Sequence, residues 1–347
     1  MLFLGSGMLP IPPPGWGAVE KAIFRLSEAL RSRGVETEIL NRPGKGRSLD
    51  EYRFAWKLRG LLRSHTWDIL HASTPVVANR LRQMSLPYVY TSHSRHWSGT
   101  SGPSQRFGFY LERRAVAGAL QDVALTPAIA ELMRAGPLRE HPERCRVIPN
   151  GVETSTYGPQ WSERTGRVAL GVGAVHPRKR WHVAVEAMSQ LPQGELVIAG
   201  PIQDARYAEE LRRRSPNGRL RLAGEVSETE LRALYSKADV FLLPSRSELM
   251  SMAVVEAMAS GLPVIGTGRL EGMVLPGEQG YLIPEGSGTE EVAEIARRLG
   301  EILGDAALRR RMGESARAKA VTEWDWSVIA GKTLELYQGI PAPTRSR

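Results

Sequence analysis

The chain has 347 residues and a formal net charge of +9, with 42% hydrophobic and 24% charged residues. This length exceeds what one hydrophobic core usually serves and therefore predicts two domains. The composition excludes a disordered chain, and no segment reaches the roughly 20 apolar residues of a membrane-spanning helix. The single cysteine, Cys145, excludes an intramolecular disulfide framework and favours the reducing cytoplasm.

The positive charge is concentrated in the first half of the chain. Residues 1–160 contain 21 Lys and Arg against 13 Asp and Glu, a net +8, whereas residues 161–347 contain 25 against 24. Such an asymmetry predicts that the first half meets an anionic partner. No nucleic-acid recognition motif accompanies the charge, so nucleic acid is not the expected partner.

Short apolar runs alternate with helical stretches along the first half. The first helix follows a loop rich in Pro and Gly, residues 10–17, and is predicted to end at Gly34. Strand-helix-strand repeats require right-handed crossovers and predict a parallel sheet. The predicted strands of this half are residues 1–5, 38–40, 68–71, 88–91, 123–126 and 146–148.

The second half repeats this alternation after a polar segment, residues 154–165, that is predicted to be a linker. We therefore predict an α/β fold of two doubly wound Rossmann-like domains, 1–155 and 160–324, facing a central cleft. A last amphipathic helix, residues 325–340, is expected to pack back onto the first domain. The predicted strands of this half are residues 168–172, 195–199, 220–222, 240–243, 264–266 and 281–283.

Two glycines, Gly15 and Gly17, precede the first helix. Glycine lets the backbone approach a ligand closely, and the free N–H groups at a helix start attract anions such as phosphate. An ordinary turn before a helix is the alternative interpretation.

Two glutamates follow the strand at 240–243. Glu248 lies in the loop at the carboxyl end of this strand, and Glu256 lies about one turn into the next helix. A carboxylate accepts two hydrogen bonds from a vicinal diol, which suits a ribose or a hexose. Two solvated glutamates with no ligand are the alternative.

The segment Ser247–Val264 resembles the signature of glycosyltransferase family 4, two Glu with seven residues between them. This resemblance is nearly continuous from about 140 to 330 and patchier before 140. It implies the two-domain GT-B fold and the retaining transfer of a hexosyl group from a UDP- or GDP-sugar to a hydroxyl acceptor, for example a lipid-linked one or a polysaccharide. Other segments that resemble the family occur in the expected order: Ile148–Glu153, Gly173–Arg180, Ala199–Pro201, Ala238–Ser245 and Gly277–Leu282.

The resemblance also implies roles for individual residues of the second half. Glu256 would bind the ribose, and Glu248 would bind the donor hexose. Lys179 would hold the donor diphosphate, where a fixed cation stabilises the charge of the leaving group. The backbone at the start of the helix would touch the sugar through Ser251, Met252 and Ala253.

The chain departs from the family pattern at Ala174, where many members carry an arginine for the diphosphate; Arg178 is a candidate substitute. In the first half, Gly15 and Gly17 match the paired glycines whose amides approach the donor phosphate. His93 resembles the active-site histidine near the sugar. Together with Lys179 and Glu248, it forms the implied catalytic set.

The retaining reaction of this family is usually written as a same-face displacement, which needs no paired carboxylates at glycosidase spacing. The sequence has no Asp-x-Asp motif, so we expect no metal or other cofactor. A GT-B epimerase or phosphorylase is the alternative enzyme. A dinucleotide-binding protein would need a third glycine after Gly5-Ser6-Gly7, where Leu9-Pro10 stands instead.

Two helical stretches of the first half, 52–63 and 106–114, interleave arginines with aromatic residues. This pattern is typical of interfacial helices on anionic lipid and indicates a cytoplasmic protein that binds the inner face of the membrane peripherally. The alternative is that the apolar residues form core and the arginines a solvated face; for the first stretch these apolar residues are Phe54, Leu58, Leu61 and Leu62.

Overall fold

The computed structural model describes residues 1–13, 17–93, 102–215, 218–246, 248, 250–284, 286 and 288–340. The chain divides into two compact units. Unit 1 comprises Met1–Gly151 together with the C-terminal segment that starts at Trp326, and unit 2 comprises Val152–Asp325.

Each unit contains a six-stranded sheet in which every neighbouring pair of strands is parallel. The sheet of unit 1 has the order β2-β1-β3-β4-β5-β6, and the sheet of unit 2 has the order β12-β11-β10-β7-β8-β9. All twelve predicted strands are confirmed, with bounds within two residues of the prediction. The strands are β1 Leu2–Leu4, β2 Glu38–Leu40, β3 Leu70–Ala72, β4 Val89–Ser92, β5 Gln121–Ala124, β6 Cys145–Val147, β7 Val168–Val172, β8 Glu195–Ala199, β9 Leu220–Gly224, β10 Val240–Leu243, β11 Val264–Thr267 and β12 Gly280–Ile283.

Helices connect the strands, and several begin at a side chain that accepts a hydrogen bond from the first turn. Ser227, for example, accepts from the backbone of Glu230, whose carboxylate accepts in return from Ser227. The α-helices among the described residues are α1 Ala18–Arg31, α2 Ser48–Leu61, α3 Pro75–Gln83, α4 Pro103–Gly118, α5 Pro127–Ala135, α6 Trp181–Ser189, α7 Ala205–Arg214, α8 Glu228–Lys237, α9 Met252–Ala259, α10 Thr289–Gly304, α11 Ala306–Lys319 and α12 Trp326–Gln338.

The core of unit 1 includes the last helix of the chain. Helix α12 packs against α1, and its residues Ile329 and Tyr337 are buried with Phe3 and Val89 of the sheet. Unit 1 is therefore completed by a segment that follows the whole of unit 2 in sequence.

Unit 2 begins before the segment that was predicted to be a linker. Residues 154–165 belong to unit 2, where the Tyr157 side chain is buried and the Trp161 ring contacts two guanidinium groups. The guanidinium carbons of Arg164 and Arg310 lie 4.3 Å and 4.6 Å from the centroid of the Trp161 ring. The contact with Arg310, on α11, holds the segment against the rest of the unit.

A buried carboxylate aligns the two central strands of unit 2. The side chain of Asp239, which directly precedes β10, accepts hydrogen bonds of 2.8 to 2.9 Å from the backbone N–H groups of Gly166, Arg167 and Val168 at the start of β7. Hydrogen bonds to a buried carboxylate are strong because the acceptor is charged. They set β7 and β10 side by side and so position the loops at the opposite ends of these strands.

Candidate functional site

The strand order of unit 2 reverses between β7 and β10. Strand β7 is followed by β8 on one side, whereas β10 is followed by β11 on the other. Loops that leave adjacent strands in opposite directions open a crevice at the carboxyl ends, where doubly wound sheets bind their ligands. The two loops at this position start at Gly173 and Pro244 and include the predicted donor residues Lys179 and Glu248.

Lys179 and Glu248 form an ion pair across this crevice. The distance from Lys179 Nζ to Glu248 Oε1 is 2.5 Å, and the side chains are only 17% and 10% exposed. A short 3₁₀ turn, Pro177–Lys179, positions the lysine; its N-cap is His176, whose ring nitrogen accepts a hydrogen bond from Arg178 N. A Cβ at Gly173, where φ is 153°, would lie 3.3 Å from Lys179 Cε, so the lysine passes close over the glycine.

A second set of charges joins the same two loops. Arg180 donates two hydrogen bonds to Glu291, of 2.6 and 2.8 Å, and a third of 3.2 Å to the carbonyl of Pro244. Arg246 donates a 2.7 Å bond to the same carboxylate, which is fully buried. Burial acts to raise the pKa of Glu291, but the bonds from Arg180 and the charges of both arginines outweigh it and hold this pKa below its usual value.

Glu256 is held by a buried tyrosine. The Oη atom of Tyr235 lies 3.0 Å from Glu256 Oε2 and 3.1 Å from the carbonyl oxygen of Ala253. Burial, reinforced by the Glu256 charge, raises the pKa of Tyr235 well above its usual value, so the phenol stays neutral and donates to the carboxylate. Tyr235 thereby fixes the direction of Glu256 on α9.

The remaining predicted residues of unit 2 lie at the ends of the same loops. Ser251 is buried and is the N-cap of α9, so Met252 and Ala253 form the first turn of that helix. Backbone N–H groups of a first turn have no acceptor within their own helix and point toward a ligand at the helix start. Arg178 is exposed beside Lys179. The structure thus brings Lys179, Glu248 and the start of α9 to one edge of one sheet.

In unit 1, His93 directly follows β4, at the carboxyl edge of the sheet. Burial lowers the pKa of His93 to about 4, so the imidazole is neutral near pH 7. Gly17 is the N-cap of α1, where a Cβ would lie 3.0 Å from Pro13 Cβ and 3.2 Å from Glu20 Oε2, a closeness that favours glycine. Gly15 lies outside the described residues.

Next to His93 lies a second, fully buried histidine, His71 on β3. Its Nδ1 atom is 2.5 Å from Tyr337 Oη on α12, and its Nε2 atom is 2.6 Å from Thr91 Oγ1 on β4. Burial, together with the neighbouring His93, lowers the pKa of His71 to about 3. Both histidines line a cavity of about 30 Å³ within unit 1, which is large enough for one water molecule.

Sequence reasoning missed the residues that hold the predicted ones in place. The partners are Arg180, Arg246 and Glu291 for the two loops, Tyr235 for Glu256, and His71 near His93. Arg180 directly follows Lys179 in the sequence, and this position could have indicated that it belongs to the site. Glu291 is 111 residues from Arg180, and nothing in their spacing indicates the pair.

Two family descriptions match the chain in sequence. Residues 19–156 match "Glycosyltransferase Family 4", and residues 166–302 match "Glycosyl transferases group 1". A curated relative is the alpha-maltose-1-phosphate synthase of Mycobacterium tuberculosis (strain CDC 1551 / Oshkosh), which is 27% identical over 314 residues, covering 81% of this chain and 79% of the relative. The chain belongs to glycosyltransferase family 4 and is an enzyme that transfers glycosyl groups.

Solved structures agree in fold. The sucrose-phosphate synthase of Thermosynechococcus elongatus aligns with a TM-score of 0.82 at 21% identity, covering 97% of this chain and 98% of the other. Anabaena Alr3699/HepE in complex with UDP-glucose aligns with a TM-score of 0.75 at 19% identity, covering 98% and 99%. Two parallel six-stranded sheets with these neighbours define the α/β two-domain GT-B fold, as predicted.

Two features are absent from the described residues. No helix there is long and apolar enough to cross a membrane. Within the same part of the chain, no three His, Cys, Asp or Glu side chains are grouped so that they could hold a metal ion.

Proposed function

We propose that this enzyme is a retaining glycosyltransferase that moves a hexosyl group from a UDP- or GDP-sugar to a hydroxyl acceptor. The observation that carries the proposal is the Lys179–Glu248 ion pair at the carboxyl ends of β7 and β10. The ammonium group of Lys179 suits a diphosphate, and the carboxylate of Glu248 suits a sugar hydroxyl.

Donor binding would change the partner of Lys179. The diphosphate of a nucleotide sugar brings two negative charges to the crevice, and its phosphate oxygens compete with Glu248 for the ammonium group. Once released, the carboxylate can accept hydrogen bonds from the donor hexose. Lys179 then faces the oxygen on which charge grows as the sugar leaves, which stabilises the transition state more than the ground state.

Glu256 is the proposed ribose ligand. A carboxylate accepts both hydrogen bonds of a vicinal diol only if it is held in the right direction, and Tyr235 fixes one of its oxygens. The first turn of α9, which carries Glu256, also supplies N–H groups for the sugar. The similarity in fold to Anabaena Alr3699/HepE in complex with UDP-glucose supports a nucleotide-sugar donor.

The proposed mechanism is a same-face displacement. The departing phosphate accepts the proton of the acceptor hydroxyl, so no second carboxylate at glycosidase spacing is needed. His93, neutral near pH 7, is the proposed hydrogen-bonding partner of the sugar in unit 1. Lys179 supplies the positive charge at the diphosphate, so we expect turnover to continue in EDTA.

Thermal unfolding with a panel of nucleotides and nucleotide sugars tests the donor. A ligand that binds only the folded state raises the melting temperature in proportion to its affinity. The expected result is stabilisation by one nucleoside diphosphate and its sugar, lost in Lys179→Ala and kept in Lys237→Ala, an exposed lysine of unit 2. Arg178→Ala tests whether that residue replaces the arginine that is absent at Ala174. If no nucleotide stabilises the wild type, the donor proposal fails.

The anomeric configuration of the product tests the mechanism. NMR of the transferred sugar should show the configuration of the donor, whereas the inverted anomer would overturn the retaining proposal. Steady turnover of the nucleotide sugar without any acceptor would instead favour the epimerase, and formation of a sugar phosphate from a glycoside and inorganic phosphate would favour the phosphorylase.

A further inference from the structure

Helices α2, α3 and α4 form one layer on unit 1, with α3 packed against both of its neighbours. They connect β2 to β3, β3 to β4 and β4 to β5, and right-handed crossovers in the same direction place all three on the same face of the sheet. The outer side of this layer, called here the α2–α4 surface, consists of the exposed residues of the three helices and of the turn after α2.

Helix α2 is apolar on two opposite sides. Phe54, Leu58 and Leu62 are buried, as expected of a core-facing side. On the opposite side Leu49 and Tyr52 are exposed, and Trp56 is 74% exposed. Large apolar groups that recur along the outer side of a helix are unusual in a surface that meets only water, and they mark an interaction site.

Helix α4 repeats the arrangement. Glu112, Ala115 and Val116 face the interior, whereas Phe107 is 54% and Tyr110 is 51% exposed. Aromatic side chains therefore lie on the outer side of both flanking helices of the layer.

The charges of the α2–α4 surface have one sign. The carboxylates of the three helices turn away from it, because Asp50 and Glu112 are buried and Glu51 is half-buried. No other carboxylate occurs within the bounds of these helices. The exposed cations of the surface are Arg53, Lys57, Arg59, Arg63, Arg82, Arg106, Arg113 and Arg114.

Apolar and basic residues are interleaved along this surface, and its aromatic residues extend to one edge of the sheet. Helices α2 and α4 start at the carboxyl edge of the sheet. The exposed side chains of Tyr52, Phe107 and Tyr110 lie in their first halves, and Trp56 lies just past the middle of α2. His93, after β4, lies at the same edge. The exposed Arg53 and Arg106 also lie in the first halves, so aromatic and basic residues together adjoin the edge that carries the predicted active-site histidine.

We propose that the α2–α4 surface docks on an anionic lipid membrane and that the acceptor is a hydroxyl of a membrane-embedded, lipid-linked molecule. Aromatic side chains with a polar tip favour the boundary between headgroups and acyl chains, and cations favour anionic headgroups. Docking by this surface places the adjoining His93 edge beside the membrane, where a lipid-linked hydroxyl is presented. The lipid-linked acceptor rests on the proposed transferase function, whereas the docking does not.

Vesicle flotation at low salt tests the docking. The probes are vesicles of phosphatidylcholine alone and of phosphatidylcholine with 30% phosphatidylglycerol. We expect binding only to the anionic vesicles and release on adding salt, which screens exposed charges. Changing Arg59, Arg63, Arg113 and Arg114 to Gln should weaken binding by roughly 100-fold or more, because each basic residue near an anionic surface contributes about fivefold.

A charge-matched control separates this surface from net charge. Changing four exposed arginines of unit 2, Arg206, Arg212, Arg213 and Arg221, to Gln removes the same charge elsewhere and should leave the vesicle affinity within about threefold. Trp56→Ser should weaken vesicle binding about tenfold without altering the melting temperature, since the Trp56 side chain is mostly exposed and packs little against the core.

Several outcomes overturn the docking. They are no binding to anionic vesicles at low salt, an equal loss in the unit 2 control, or preferential binding to a duplex oligonucleotide in a competition with the vesicles. Vesicle binding is measured without donor and donor binding without vesicles, so the docking and the proposed function fail independently. A wild type that docks but transfers sugar equally fast to a soluble acceptor and to a vesicle-borne one overturns the lipid-linked acceptor.

Discussion

Breaking the Lys179–Glu248 ion pair should lower the stability of the fold whichever partner is removed, whereas diphosphate binding should weaken without Lys179 and strengthen without Glu248. The pair is 2.5 Å long, and its side chains are 17% and 10% exposed, so solvent screens it only partly. At an effective dielectric constant of about 20, two unit charges at this distance attract by about 7 kcal/mol before desolvation is counted. Loss of one partner leaves the other charge largely buried and uncompensated.

The expected cost to unfolding is about 2 to 3 kcal/mol for Lys179→Met and similar for Glu248→Gln. A fully buried pair loses about 3 to 5 kcal/mol when one partner is removed, and the remaining exposure of this pair puts it near the lower end. The double variant should cost about as much as either single one rather than their sum. The coupling energy of the cycle is then about 2 kcal/mol, and urea unfolding followed by tryptophan fluorescence measures it.

Nucleotide binding separates an ion pair that serves the donor from one that only stabilises the fold. Glu248→Gln frees Lys179 from its competitor and should bind the free nucleoside diphosphate several-fold more tightly in calorimetry. Lys179→Met should bind it at least tenfold more weakly. If Glu248→Gln loses diphosphate affinity as much as Lys179→Met does, the two side chains do not exchange partners and the reasoning is wrong.

Three further outcomes are expected. Glu256→Ala should weaken nucleotide binding by roughly 1.5 to 3 kcal/mol with a nearly unchanged melting temperature, and Tyr235→Phe should weaken it by about 1 kcal/mol. An unaltered dissociation constant for Glu256→Ala would contradict the ribose assignment. Glu291→Gln should destabilise the chain by about 3 kcal/mol, since it leaves Arg180 unpaired, and the difference from wild type should shrink in urea titrations as the pH falls below 4.5, because the folded-state pKa of Glu291 is lowered. The folded-state pKa of His71, about 3, lies below the unfolded value of 6.5, so the stability that its neutral imidazole contributes is complete above pH 6.5 and is lost as the pH falls toward 3. The destabilisation by His71→Gln should therefore be about 2 kcal/mol smaller at pH 5 than at pH 8. An equal destabilisation at both pH values would show that the imidazole takes up a proton while the protein is folded.

The sheets could be predicted because a parallel strand is buried on both faces. Its sequence is a short continuous apolar run, such as Val240–Leu243, bounded by residues that end it. The neighbourhood of Lys179 and Glu248 could be predicted as well, because the carboxyl ends of parallel strands meet at one edge. The ion pair between Lys179 and Glu248 could not be predicted, because it depends on the side-chain rotamers that the two loops allow.

The supporting contacts escaped prediction for the same reason. Glu291 lies in the first turn of α10, where an acidic residue is favourable whatever it touches, so its sequence position carries no sign of Arg180. In α2 the core interpretation is confirmed for Phe54, Leu58 and Leu62, and the lipid-binding interpretation stays a proposal. The periodicity identified Phe54 and Leu58 as core, but it could not show that Trp56 lies exposed on the opposite side.

Helix α12 belongs to unit 1 but is synthesised after the whole of unit 2, so unit 1 cannot be completed on the ribosome before unit 2 has been made. Unit 2 is one uninterrupted segment, 152–325, and its sheet can close as soon as that segment has been synthesised. Unit 1 has all six strands after residue 147, yet the surface that α12 covers on α1 and β1 stays open for another 180 residues or so of synthesis. The apolar surface of α1 and β1 that α12 covers therefore stays exposed while unit 2 is synthesised, and a chaperone or a second nascent chain can bind it before α12 arrives.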